Sequence, residues 1–271
     1  MSDFNFYFHE SFQPQIIYLA ELMNLAAKEF KGTKEEISSL TGIPTGNHSG
    51  KVIPHIKYLN YMGLINYKEI VKEIALTLTD LGEIVVKNDL YMMETITKII
   101  MHYNLTRLKG GALQWSFLFR EFEYNFNKIY SIKGIVDKGQ LIFGKDIKIG
   151  PLKGLYDKGD FLDISPIKIS GDEVIFKNMY PSYECNNFYA YTLLKEWEDN
   201  FAEFDEITID DVFNKLKWNK GFGFDYNTTI EVLDELMVRG IIKLNKQFNP
   251  ITIIKNTSSS NLIHILYDDL I

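Results

Sequence analysis

The 271-residue chain has a single cysteine, Cys185. An intramolecular disulfide and a cysteine-rich zinc site are therefore excluded, and the sequence suits a reducing compartment. The chain also lacks a positive balance. It has 29 Lys and Arg against 36 Asp and Glu, a net charge of -7. That excludes indiscriminate coating of nucleic acid by the whole surface, but leaves room for a local basic face. No uninterrupted apolar run approaches bilayer length, and residues 1–6 carry neither the basic nor the apolar part of a secretion signal. The expectation is a cytoplasmic protein with no membrane attachment.

Several chemical signatures are missing as well. Gly46 to Lys51 imitates a phosphate-binding loop. However, only three residues separate Gly46 from Gly50, and Val52 stands where a magnesium-holding Ser or Thr is needed. Gly221-Phe222-Gly223 lacks the third glycine and the preceding strand of a dinucleotide fingerprint. His9-Glu10 has no second histidine four residues on, so a zincin motif is absent. Asp146-Ile147-Lys148 has nuclease-like spacing, but no upstream acidic partner supports it. No metal-ligand set and no cofactor are evident.

What is present is pattern. Residues 14–30 read as a buried helix. Thr33 and Glu36 form a capping-box signal before a short helix that ends at Gly42. A second helix should run from about Lys51 to Met62 and stop at Gly63, with Pro54 in or near its first turn. Residues 64–67 and 72–78 alternate as two strands. This order predicts a winged helix-turn-helix over residues 1–88. Residues 89–204 read as a helical middle with an irregular α/β insert at 132–182. In residues 205–271, Leu236-Met237-Val238-Arg239-Gly240-Ile241-Ile242 parallels Leu59-Asn60-Tyr61-Met62-Gly63-Leu64-Ile65. That predicts a second winged-helix-like module. The fold class expected is α+β, mainly helical.

The segment 31–73 holds six Lys and four Glu, so this acidic chain is mildly positive there. On a helical wheel Val52, Ile56 and Leu59 face inward, while Lys51, Pro54, Lys57, Tyr58 and Tyr61 lie away from them. The candidate DNA-contacting residues are therefore Thr45, Asn47, His48, Ser49, Lys51, Lys57 and Tyr58, around a helix start suited to phosphate. A winged helix used only for protein packing is the competing reading. His102, in an apolar helix, is expected in the core. For His9-Glu10, either fastening of the terminus or service to a DNA-facing site is open. Phe8 and Phe12 are the expected anchors.

Several blocks together resemble the family catalogued as domain of unknown function 4007, associated with bacterial DNA phosphorothioation. They are Phe8-His9-Glu10-Ser11-Phe12; Leu78-Thr79-Asp80-Leu81-Gly82; the run from Asp89 to Thr97, continuing through His102-Tyr103-Asn104-Leu105 to Trp115 and Phe119; and Phe188-Tyr189-Ala190-Tyr191 with Trp197. The resemblance implies a DNA-binding component of a phosphorothioate modification and defence system, with cysteine desulfurase and sulfotransfer proteins as partners. It also implies kinship to a proposed DNA nickase, for which a divalent metal would be needed. A non-catalytic adaptor and a transcriptional regulator of such a gene cluster are the alternatives.

Overall fold

Apolar residues recurring every three or four positions fold residues Ile16–Ala26 into helix α1, which buries Leu19, Leu22, Met23 and Ala26. A three-residue strand β1 (Lys31–Thr33) leads into α2 (Lys34–Thr41). Thr33 Oγ1 accepts the Glu36 N–H at 3.2 Å, and Glu36 Oε2 accepts the Thr33 N–H at 2.7 Å. This is the expected capping box. Helix α3 (Val52–Tyr61) carries Pro54 in its first turn, where no intrahelical donor is lost. Gly63, at φ 74°, then turns the chain, and the Leu64 N–H returns to Leu59 O at 3.0 Å. Strands β2 (Ile65–Ile70) and β3 (Glu73–Leu78) form a hairpin. With β1 they give an antiparallel sheet of order β1-β3-β2.

The next elements are α4 (Asp80–Asp89), α5 (Thr95–Thr106) and α6 (Leu113–Ser116), which runs into a π-helical stretch, Phe117–Glu121. The stretch expected to be an α/β insert carries helix and strand. Strand β4 (Ile129–Ser131) enters α7 (Ile132–Phe143), α8 (Ile149–Tyr156) follows, and β5 (Ile167–Ser170) and β6 (Glu173–Phe176) close a sheet of order β4-β6-β5. Farther on come α9 (Asn186–Asn200), β7 (Glu206–Thr208), a π-helical turn (Asp211–Leu216), α10 (Trp218–Phe222), α11 (Tyr226–Val238), β8 (Ile242–Asn245) and β9 (Thr252–Lys255). Their sheet has the order β7-β9-β8. Thr208 and Asp211 repeat the capping exchange, and Gly240 at φ 74° repeats the stop, with the Ile241 N–H on Leu236 O. The same plan of short strand, helices and returning hairpin therefore occurs three times.

The computed structural model describes residues 6–46, 50–247 and 249–270. It comprises two compact units, Met1–Phe176 and Lys177–Ile271. The boundaries expected at 88/89 and 204/205 do not coincide with this break. The first falls inside α4, and beyond it Asn104 Nδ2 donates to Met62 O, joining α5 to the end of α3. Across the second, Trp218 Nε1 donates to Thr192 Oγ1 and Asn187 Nδ2 to Ile265 O. Among the described residues no helix is long and apolar enough to cross a membrane.

Candidate nucleic-acid interface

Helix α3 and its preceding loop carry the residues singled out from the sequence. Thr45 is half-buried, and Gly50 packs so closely on it that a Cβ would sit 2.7 Å from Thr45 Oγ1. The Lys51 N–H donates to Pro44 O at 2.8 Å. Asn47, His48 and Ser49 lie outside the described residues. The inward face is as expected, with Val52, Ile56 and Leu59 buried. The outward face is corrected. Pro54 is buried, Lys57 is 2% exposed and Tyr58 is 0% exposed. Burial pulls the Lys57 ammonium below the usual lysine range, against the opposing influence of Glu69 and Glu10.

The reason is a strap, residues 6–15, laid over α3. Phe8 meets the rings of Tyr58 at 4.8 Å, Tyr61 at 4.7 Å and Trp115 at 5.8 Å. Tyr58 Oη donates to Phe12 O at 2.9 Å. The Gln15 N–H donates to His55 Nε2 at 3.2 Å, while His55 Nδ1, in the complementary tautomer, donates to Lys51 O at 2.7 Å. A helical wheel of α3 contains no information about this cover, because the cover comes from another part of the chain.

The strap also crosses α8. Gln13 lies on Gly154, where a Cβ would come 1.9 Å from its Oε1, so a larger residue there would push the Gln13 amide aside. The Ile16 N–H donates to Asp160 Oδ2 at 2.9 Å. Gln114 holds both sides: its Nε2 donates to Phe6 O at 2.7 Å, and its Oε1 accepts the Lys148 N–H at 2.6 Å. Within the strap, Glu10 and Ser11 adopt positive φ, at 47° and 68°. His9 Nδ1 accepts the Ser11 N–H at 2.9 Å and so secures that reversal. His9 is buried and Glu10 exposed, so the two diverge. Burial lowers both histidines to about 4, with Lys148 adding to the effect at His9. At His55 a hydrogen bond to Lys51 O opposes burial and the Lys51 charge assists it.

Lysines line the strap. Lys51 Nζ lies 5.9 Å from the Phe12 ring centroid and 5.5 Å from that of Tyr18. Lys145 Nζ lies 5.6 Å over Phe6, and Lys148 Nζ 5.6 Å over Tyr7. Each is a cation held on an aromatic face. Lys148 stands out in the sequence only through the Asp146-Ile147-Lys148 spacing, and Lys145 not at all, because the surrounding stretch reads as an irregular insert. By contrast, the groove between α2 and the β2–β3 hairpin, about 630 Å³, is lined by Glu10, Glu35, Glu69 and Glu73 with Lys34 and Lys72. Four carboxylates against two ammoniums disfavour a phosphate there.

His102 is buried, its Nδ1 2.6 Å from Tyr156 Oη, as expected of a core histidine. Asp89, in the block that most resembles the phosphorothioation-associated family, is a cap. Its carboxylate accepts the N–H groups of Met93 and Glu94, both at 2.9 Å, and the Thr97 hydroxyl at 2.6 Å. Asp146 is exposed, and its carbonyl accepts the Tyr7 hydroxyl at 3.2 Å. Among the described residues no three His, Cys, Asp or Glu side chains converge on a point suited to a metal ion.

The chain is thus a mixed helix-and-sheet protein, with three small three-stranded sheets among the described residues. Its fold is similar to that of SspB. The crystal structure of magnesium ion-bound SspB matches with a TM-score of 0.76 at 13% identity, over 97% of this chain and 88% of that one. A second SspB crystal structure matches with a TM-score of 0.75 at 13% identity and the same coverage. No family model and no curated protein matches the sequence.

Proposed function

We propose that this chain is a winged-helix DNA-binding component of a bacterial DNA phosphorothioate modification and defence system, working beside a cysteine desulfurase and sulfotransfer proteins. The observation that carries the reading is the likeness to SspB along 97% of the chain. Fold alone does not define function. The reading is supported as well by the order helix, strand, two helices and hairpin, which is that of a winged helix-turn-helix. The sequence blocks that resemble the phosphorothioation-associated family support the same reading.

Nicking of one DNA strand is the second reading, favoured by the magnesium ion named with SspB. Magnesium takes an octahedral set of oxygens, usually with one or two carboxylates. Among the described residues no three His, Cys, Asp or Glu side chains converge, and no cleavage step is assigned to this chain.

One pair of assays tests both readings. The full chain is titrated into a fluorescein-labelled duplex at low salt, then incubated with supercoiled plasmid with and without magnesium. Binding with intact plasmid favours the adaptor or regulator. Binding with magnesium-dependent open circles makes the chain a nickase. No binding at low salt rejects the DNA-binding proposal.

A further inference from the structure

We infer that the groove beside strand β7 is a docking site for a basic segment, rich in arginine and lysine, of a partner protein. Every residue of the groove belongs to the unit Lys177–Ile271, so DNA contact elsewhere on the chain is neither required nor opposed.

Residues 201–211 include Glu203, Asp205, Glu206, Asp210 and Asp211 and contain no Lys or Arg. The groove they border has a volume of about 750 Å³. Two of its carboxylates are already matched within the chain. Asp211 pairs with Lys215 at 2.8 Å and Asp205 with Lys255 at 3.3 Å. Glu203 and Glu206 are exposed and, among the described residues, their carboxylates have no ion pair and no hydrogen bond. Lys243 shares a register row with Glu206, but β9 stands between them and sets the two strands about 10 Å apart. Two uncompensated carboxylates on one groove draw a cation and repel a phosphate.

The neighbourhood also shows how it holds a cation. Lys215 Nζ, paired with Asp211, lies 5.4 Å from the Phe201 ring centroid, and Lys255 Nζ, paired with Asp205, lies 5.7 Å from that of Trp197. Each is an ammonium seated on a ring face and matched by a carboxylate. Phe204, with Glu203 and Glu206, brings a third set of the same parts to the groove. Its ring is 59% exposed, and among the described residues no cation lies on it. Thr252 also borders the groove, opposite Thr208 in the sheet. The Thr208 hydroxyl donates to Asp211, whereas Thr252 Oγ1 is shut off from solvent with no hydrogen-bond partner among the described residues. Buried hydroxyls are normally bonded, so this one is an acceptor left for a donor that the partner brings. Arginine suits such a lining, because its planar guanidinium stacks on a ring and still offers N–H groups to oxygen.

The test uses the full chain and two fluorescein-labelled peptides, one of alternating Arg and Ser and one of alternating Gly and Ser, followed by anisotropy. The Arg-Ser peptide should bind, more weakly as salt rises, and the Gly-Ser peptide should not. Glu203→Gln/Glu206→Gln should weaken binding roughly tenfold, the equivalent of two exposed ion pairs. Phe204→Ala should weaken it roughly threefold, and Phe204→Tyr, which keeps the ring, should bind like the parent. Glu231→Gln/Asp268→Asn removes the same charge from the same unit outside the groove and should leave the affinity close to parental. A folded Glu203→Gln/Glu206→Gln variant with parental affinity overturns the inference. So does an equal loss in Glu231→Gln/Asp268→Asn, because the net charge of the unit would then account for binding. A parent chain that does not tell the two peptides apart overturns it as well. None of these outcomes bears on the duplex titration, which alone decides the DNA reading.

Discussion

At the scale of single residues, the same side chain reads differently once its surroundings are known. Asp89 lies in the most family-like block of the sequence and could be taken for chemistry. Its three accepted hydrogen bonds instead fix the start of α5. Asp89→Ala should cost about 2 kcal/mol of stability, at the upper end for lost caps, and lower the melting temperature. Asp89→Asn, which keeps an oxygen acceptor, should recover part of it. An unchanged melting temperature for Asp89→Ala would overturn the capping role. Lys57 makes the opposite case. Its position on the wheel suggested a DNA contact, but at 2% exposure it cannot meet a phosphate without unpacking α3. Lys57→Ala should therefore leave the slope of DNA affinity against salt unchanged, within the error of an anisotropy titration. A slope flattened by about one unit would restore Lys57 to the interface.

At the scale of elements, the strap is the part that no local pattern announces. Phe8 and Phe12 signalled an anchored terminus, and Phe8 is indeed buried on α3. What the strap anchors to was not legible, since Tyr58, Trp115, Gln114 and Gly154 come from distant points in the chain. The helix starts and stops were legible, because Thr33, Gly42 and Gly63 act on their own neighbours. The strands β1, β4 and β7 were not. Each is three residues long, too short for alternation to rise above chance. The middle repeat was hidden for a related reason: glycines at 134, 139 and 144 make α7 look like a run of turns. Of the residues set along the strap, Lys51 stands out in the sequence, Lys148 only through the Asp146-Ile147-Lys148 spacing, and Lys145 not at all. The strap also makes a pH prediction. His9 and His55 are buried with values near 4 in the folded chain against an ordinary 6.5. Below pH 6.5 the unfolded chain takes up protons that the folded chain refuses. Stability is then full above about pH 6.5 and falls as pH drops toward 4, by up to about 3 kcal/mol per histidine. A melting-temperature series over that window should show the decline, and His9→Gln/His55→Gln should flatten it. An equally steep decline in the double variant would assign the effect elsewhere.

At the scale of the whole molecule, charge is divided as unevenly as structure. Residues 177–271 carry nine Lys and Arg and fifteen Asp and Glu, a balance of -6. The whole chain stands at -7, so residues 1–176, with twenty against twenty-one, are close to neutral. The acidic balance that argued against nucleic-acid coating is thus a property of one unit. Contacts within that unit are extensive. Trp197 and Trp218 are buried in it, Trp218 Nε1 donates to Thr192 Oγ1 at 3.0 Å, and Arg239 joins Glu235 and Asp269. Its 95 residues lie within the range over which single domains fold alone. Expressed separately, residues 177–271 should show a helical circular-dichroism spectrum and a single cooperative melt, because this core is complete within the unit. They should also bind strongly to an anion-exchange resin, and in the duplex titration they should show no affinity at salt concentrations where the full chain still binds. A separated unit that melts cooperatively and holds duplex as tightly as the full chain would move the DNA-contacting face out of residues 1–176, whatever the lysines there do.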